Sequence, residues 1–229
     1  MKQLLTTFVF CLAGLSLGTA AFAQPAAVNQ IAPGAIEQFT ALLDNPTLVR
    51  PPAVTPLGRN WFRLDTDTHV FTDKVSAQQV LAAITDLEGH EKNFDGKRSK
   101  QSAKEVSRNG NELIVDFVMI SIVPVVNIRI RSPYRASVTV KENTGSHFFL
   151  EIKQLASNSE SNNDIKNLLA LRYAEEIVIN GTTYTYIRVA TVNDANASIL
   201  PGARGALERN SIPANIEALQ MIIAVAKNK

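Results

Sequence analysis

Between residues 112 and 192 the chain alternates apolar and polar side chains with a period of two, and a helical period replaces it near the end. The longest alternation covers 126–140. Val126, Ile128, Ile130, Tyr134, Ala136, Val138 and Val140 fall on one face, with Asn127, Arg129, Arg131, Arg135, Ser137 and Thr139 on the other. This predicts a long antiparallel strand with one wet face. Pro133 interrupts it and predicts a bulge or a locally unpaired edge. Residues 99–106 predict a polar strand, joined through Asn109-Gly110 to a very apolar one at 112–122. Residues 147–153 repeat the pattern, with Phe148, Leu150 and Ile152 inside. Two further strands, 168–179 and 182–192, flank Asn180-Gly181, a second tight hairpin signal.

Upstream, residues 61–75 read as a strand. Ser76 then caps a helix carrying Val80, Leu81, Ile84 and Leu87, which Gly89 ends. Residues 90–98 have room for a second short helix. At the far end Ile212, Ile216, Leu219, Ile223 and Ala226 form one stripe of a long amphipathic helix. Either that helix starts at Pro213, or an earlier helix through Leu207 kinks there.

Strands in hairpins with helices segregated at the ends make an α+β fold. The expected architecture is a curved antiparallel sheet of about seven strands wrapped around the C-terminal helix. A long twisted sheet curls. A curved wall and a cylinder do not match along their full length, so an apolar gap between them is expected, and such gaps hold small molecules.

The N-terminal part is different. Lys2, the apolar run 4–17 and Ala21-Phe22-Ala23 make a secretory signal peptide over residues 1–23, and a periplasmic location is expected. Residues 24–60 form an arm rich in Ala that holds Pro25, Pro33, Pro46, Pro51, Pro52 and Pro56, six of the ten prolines, with a short helix expected within 33–44. The main domain then spans 61–229.

Composition narrows the chemistry. With 45% hydrophobic residues and 19% charged, the chain can bury a real core. A net charge of +2 argues against a nucleic-acid partner. The single cysteine, Cys11, excludes a disulfide framework and a thiolate-rich zinc site. His69, His90 and His147 form no short-spaced pair, so no metal or other cofactor is expected. No G-x-S-x-G elbow is present, and Glu175 and Glu176 point to opposite faces of their strand.

The order of elements resembles the START-like, or Bet v 1-like, helix-grip superfamily. The resemblance rests on Thr68-His69-Val70-Phe71 leading into the helix of 76–87. It rests also on 174–179 paired with 184–188, and on Leu200-Pro201-Gly202 before the last helix. It implies a cavity for a lipid-like or other apolar ligand. The residues expected to form that site are Phe117, Met119, Ile130, Tyr134, Val138, Phe148 and Leu150 on the sheet. Ile216, Leu219 and Ile223 face them from the helix.

A polar cluster of Tyr173, Glu175, Tyr184, Tyr186 and Arg188 joins this set if the tyrosine face of 182–192 points inward; Thr183, Thr185, Ile187 and Val189 occupy the opposite face. The function expected is that of a monomeric binding or carrier protein for a hydrophobic or amphipathic small molecule. One rival is an interaction module whose core is filled and whose row of Arg129, Arg131, Arg135 and Lys141 meets a protein or a membrane. Another is a small cyclase or hydrolase working through Glu175 and Tyr184.

Overall fold

The computed structural model describes residues 39–123, 128–157, 165–196 and 202–229. Residues 1–38, which include the segment expected to be a signal peptide, lie outside the described residues. The elements run α1 (Phe39–Leu42), β1 (Thr47–Leu48), β2 (Ala53–Gly58), β3 (Trp61–Thr72), α2 (Ala77–Thr85), α3 (His90–Asn93), β4 (Ser99–Asn109), β5 (Glu112–Val123), β6 (Ile128–Asn143), β7 (His147–Ser157), β8 (Ile165–Ile179), β9 (Thr182–Asn196) and α4 (Ala203–Ala226).

The strands form one antiparallel sheet in the order β1-β3-β9-β8-β7-β6-β5-β4, with β2 also on β3. The sheet has nine strands rather than about seven, because the arm supplies two. Both β1 and β2 pair with β3, through Thr47↔His69 and Ala53↔Asp65. Pro51 and Pro52 separate them. Pro56 is tolerated inside β2 because an edge strand need not donate every ladder N–H.

Local chemistry sets the joints. Ser76 caps α2 with a full capping box: its Oγ accepts from Gln79 N at 3.2 Å, and Gln79 Oε1 accepts from Ser76 N at 2.8 Å. Asn180 and Gly181 both take positive φ, 51° and 80°, as a two-residue hairpin turn of this hand requires. Pro133 causes no bulge: the β5–β6 register runs through Val118↔Pro133 unbroken. The shifts on the β7 side fall at Arg135/Ala136 and Val140/Glu142, and the described β7 pairing begins at Tyr134↔Ser157, beyond which the partner segment lies outside the described residues. Pro213 lies inside α4, which is one helix from Ala203 to Ala226.

The sheet has an inner face, covered by α2 and α4, and an outer face. Val70, Val115, Phe148, Leu150, Ile187 and Val189 point inward and pack against Val80 of α2 and Leu219 of α4. Phe148, Leu150 and Leu219 are wholly buried. The large buried side chains of α4, Leu219, Ile222, Ile223 and Val225, sit in its last turns, and Ala206 is the buried residue of its first. Earlier turns line the space between sheet and helix mostly with small or short polar residues, Ala206, Asn210, Ser211, Ala214, Asn215 and Ala218, with Leu207 the one large apolar side chain among them. One end of that space is therefore packed solid, and the other is bridged mostly by side chains too short to fill it.

Candidate ligand cavity

At that second end lies a cavity of about 280 Å³. Its floor is the inner face of β5 to β9, contributing Phe117, Met119, Ser132, Tyr134, Val138, Ile152, Leu168, Ala170, Arg172 and Thr191. Leu64 and Thr66 of β3 continue it, α4 closes it from Ala206 to Ile222, and His90, Phe94 and Arg98 add a side wall. Glu217 on α4 holds that wall by accepting from the backbone N–H of Lys97 (2.8 Å) and Arg98 (2.9 Å).

Most of the wall is apolar, but a polar chain crosses it. Gln101 links His90 to Tyr134: its Oε1 lies 3.1 Å from His90 Nε2, and its Nε2 donates to the Tyr134 hydroxyl at 3.1 Å. The amide oxygen needs a proton on His90 Nε2, which leaves Nδ1 an acceptor, buried and without a partner among the described residues. Ser132 Oγ is buried and unpartnered in the same way. Burial holds the His90 imidazole below its usual pKa, with the Gln101 bond opposing it. Burial also raises the Tyr134 phenol to about 12, so it stays protonated.

Arg172 is the residue the sequence reading missed. Its Nη1 donates to Leu171 O (3.0 Å), Ala190 O (3.3 Å) and Thr191 Oγ1 (3.4 Å). Burial pulls its pKa down to about 10, with Tyr134 opposing, so it remains a cation near neutrality. The signal was present in the alternation of β8, where Leu168, Ala170, Arg172 and Ala174 share the inward face and one of them is charged.

Four of the expected site residues, Phe117, Met119, Tyr134 and Val138, line the cavity. Phe148, Leu150, Leu219 and Ile223 point to the same side of the sheet but belong to the packed end. Ile216 is half-buried outside the lining, and Ile130 pairs with Ser121 at the start of β6 while its side chain lies outside the described residues. The displacement follows from α4, whose large side chains sit in its last turns.

The polar cluster is corrected more fully. Thr185, Ile187 and Val189 face inward, so Tyr184, Tyr186 and Arg188 lie on the outer face of β9. Tyr173 and Glu175 share that outer face on β8, where the phenol of Tyr173 donates to Glu175. Burial and Glu175 both push the Tyr173 pKa up. There the tyrosines meet the arm: Phe39 of α1 packs edge-on against Tyr184 (4.6 Å) and Phe71 (5.2 Å). Glu176 does face inward, but it accepts from Ala77 N at 2.9 Å and so caps the N-terminus of α2. In the basic row, Arg135 is paired with Asp116 (2.7 Å) and Lys141 with Glu151 (3.3 Å).

Among the described residues no cluster of three His, Cys, Asp or Glu side chains could hold a metal, and no helix is long and apolar enough to cross a membrane.

No family model matches the chain, and no curated protein matches it in sequence. Solved structures do match. Human STARD10 aligns with a TM-score of 0.51 at 9% identity, covering 77% of this chain and 73% of that one. The Zhui aromatase/cyclase from Streptomyces aligns at 0.49 and 11% identity, over 72% of this chain and 94% of that one. A STAR-related lipid transfer protein from Xanthomonas axonopodis aligns at 0.48 and 6% identity, over 77% and 99%. The likeness to STARD10 is one of fold, and it agrees with the order of elements: the chain folds as a START-like helix-grip domain, an α+β sheet closed by its C-terminal helix.

Proposed function

We propose that this protein binds a predominantly apolar, amphipathic small molecule in the cavity between its sheet and the first half of α4, and acts as its carrier. The observation that carries the reading is the 280 Å³ space bridged in part by Ala206, Ala214 and Ala218, which the chain's own side chains leave open beside the buried core. An interaction module would need no such space. An enzyme working through Glu175 and Tyr184 is not favoured, since both lie across the sheet from the cavity.

A cavity near the lower end of the usual ~300–1,000 Å³ for small-molecule pockets suits one acyl chain or a compact ring system better than a two-chain lipid. The periplasmic location and the monomeric state belong to this proposal. The first rests on residues 1–23, and cell fractionation tests it. Transient contact with a membrane would fall to Arg129 and Arg131, which are exposed on the outer face of β6.

The test is displacement of the neutral fluorescent probe N-phenyl-1-naphthylamine, with native mass spectrometry of the purified protein. Saturable probe binding, and an apolar adduct released on denaturation, are expected. Absence of both would overturn the reading.

A further inference from the structure

We infer that the cavity selects an amphiphile with a carboxylate headgroup, and that Arg172 is the group that holds it. This deepens the binding proposal and rests on it.

The argument starts from how this chain uses arginine. Arg63 on Asp194, Arg135 on Asp116, Arg188 on Asp67 and Arg108 on Glu105 all present the same edge of the guanidinium. In each, Nε donates to one carboxylate oxygen and Nη2 to the other, at distances between 2.6 and 3.3 Å. That two-pronged geometry is the strongest pairing a carboxylate finds in a protein.

Arg172 differs. Only its Nη1 is engaged, by two backbone carbonyls and a threonine hydroxyl. Those bonds fix the plane of the guanidinium. Its Nε/Nη2 edge has no partner among the described residues, and the side chain lines the cavity. A cation set in a largely apolar wall is costly unless it is paired, so this preoriented edge, open to the cavity, is a fork that an entering anion would match.

The surroundings agree. The cavity wall carries the side chains of Arg98 and Arg172 but no Asp or Glu among its described residues; Lys100, also at its edge, is paired with Asp95. An anion beside Arg172 meets no carboxylate belonging to the lining itself. Ser132 Oγ is unpartnered, and the Tyr134 hydroxyl accepts from Gln101 and keeps its own proton to donate. Phe117, Met119, Val138, Ile152, Leu168 and Ile222 supply the apolar wall a single tail requires. A planar carboxylate fits the planar fork on both prongs.

The test compares decanoate with decanol, which share a tail and differ in charge, as displacers of N-phenyl-1-naphthylamine from the full chain at about pH 8, where the acid is ionised. In the wild-type protein decanoate should displace the probe at a concentration about tenfold or more below that of decanol, as a charge-assisted pair implies. Arg172→Met should bring that ratio to near unity, and Arg172→Lys should leave it intermediate. Equal displacement by the two compounds in the wild type overturns the inference while leaving the cavity in place, and that arm stands even if a variant fails to fold. A preference that survives in Arg172→Met also overturns it. Failure of the probe and both compounds to bind removes the underlying proposal instead.

Discussion

Arg188 grips Asp67 across β3 and β9 through both prongs of its guanidinium, Nε to Oδ1 at 2.9 Å and Nη2 to Oδ2 at 2.6 Å, on the side of the sheet away from the cavity. Asp67 is 1% exposed, and Arg50 of the arm reaches it as well at 3.7 Å. The carboxylate holds the Arg188 guanidinium above its usual range. Removing one partner of such a pair strands the other charge. Asp67→Ala is expected to lower stability by about 3 kcal/mol in urea titration. Probe binding by the folded fraction should not change, because nothing on that face reaches the cavity. A loss of less than half that size would show that the pair is merely superficial.

The helix side of the cavity makes an opposite prediction. Ala218 lies on the face of α4 that bridges the open end. Ala218→Phe should fill the space and abolish probe binding. Its stability should fall by no more than ~1–3 kcal/mol, the usual range for overpacking. Probe titration beside a thermal melt separates the two effects.

At the packed end the cost is different. Leu219, one residue on, is fully buried against the core. Leu219→Ala should cost ~2–5 kcal/mol, read as a shift in the urea midpoint at constant slope. Neighbours in sequence thus separate binding from stability.

The pH dependence follows from the histidines. Burial lowers the pKa of His90 and, with Asp67 opposing, that of His69. The folded state therefore binds fewer protons than the unfolded chain. Stability from this source is fully present above the ordinary imidazole pKa of about 6.5 and is lost as pH falls through the lowered folded values. Melting temperature should hold steady above about pH 6.5 and drop as pH falls below it. His90→Asn should flatten that slope; an unaltered slope would assign the effect elsewhere.

Much of the sheet is readable from alternation alone, because each inner position of β5, β6 and β7 repeats every second residue. The β9 face is not: tyrosines on one side and β-branched residues on the other both suit a buried surface. What decides it is remote, namely that Phe39 of the arm covers Tyr184 and Phe71 from outside. The strands at 47–48 and 53–58 were hidden by composition, since prolines mask an edge strand as a tether. The apolar stripe of α4 points to a cavity near Leu219 and Ile223, whereas the open space lies nearer Ala206 to Ala218. The apolar stripe of α4 marks where the helix is anchored, while its alanines, asparagines and serines mark where it leaves room. Arg172 is not legible from the pattern, because a single charge inside an apolar alternation resembles a break in it.

Pro213 gives that division of α4 a mechanical side. Lacking an N–H, it cannot donate to the carbonyl of Arg209, so the ladder of the helix misses one rung above the cavity. The turns before it are joined to those after it by one bond fewer than in an uninterrupted rod. Deuterium should enter backbone amides of 204–212 well before those of 219–226, and a bound guest should slow exchange mainly in the first group. The same rung lets the roof yield while its moorings stay fast.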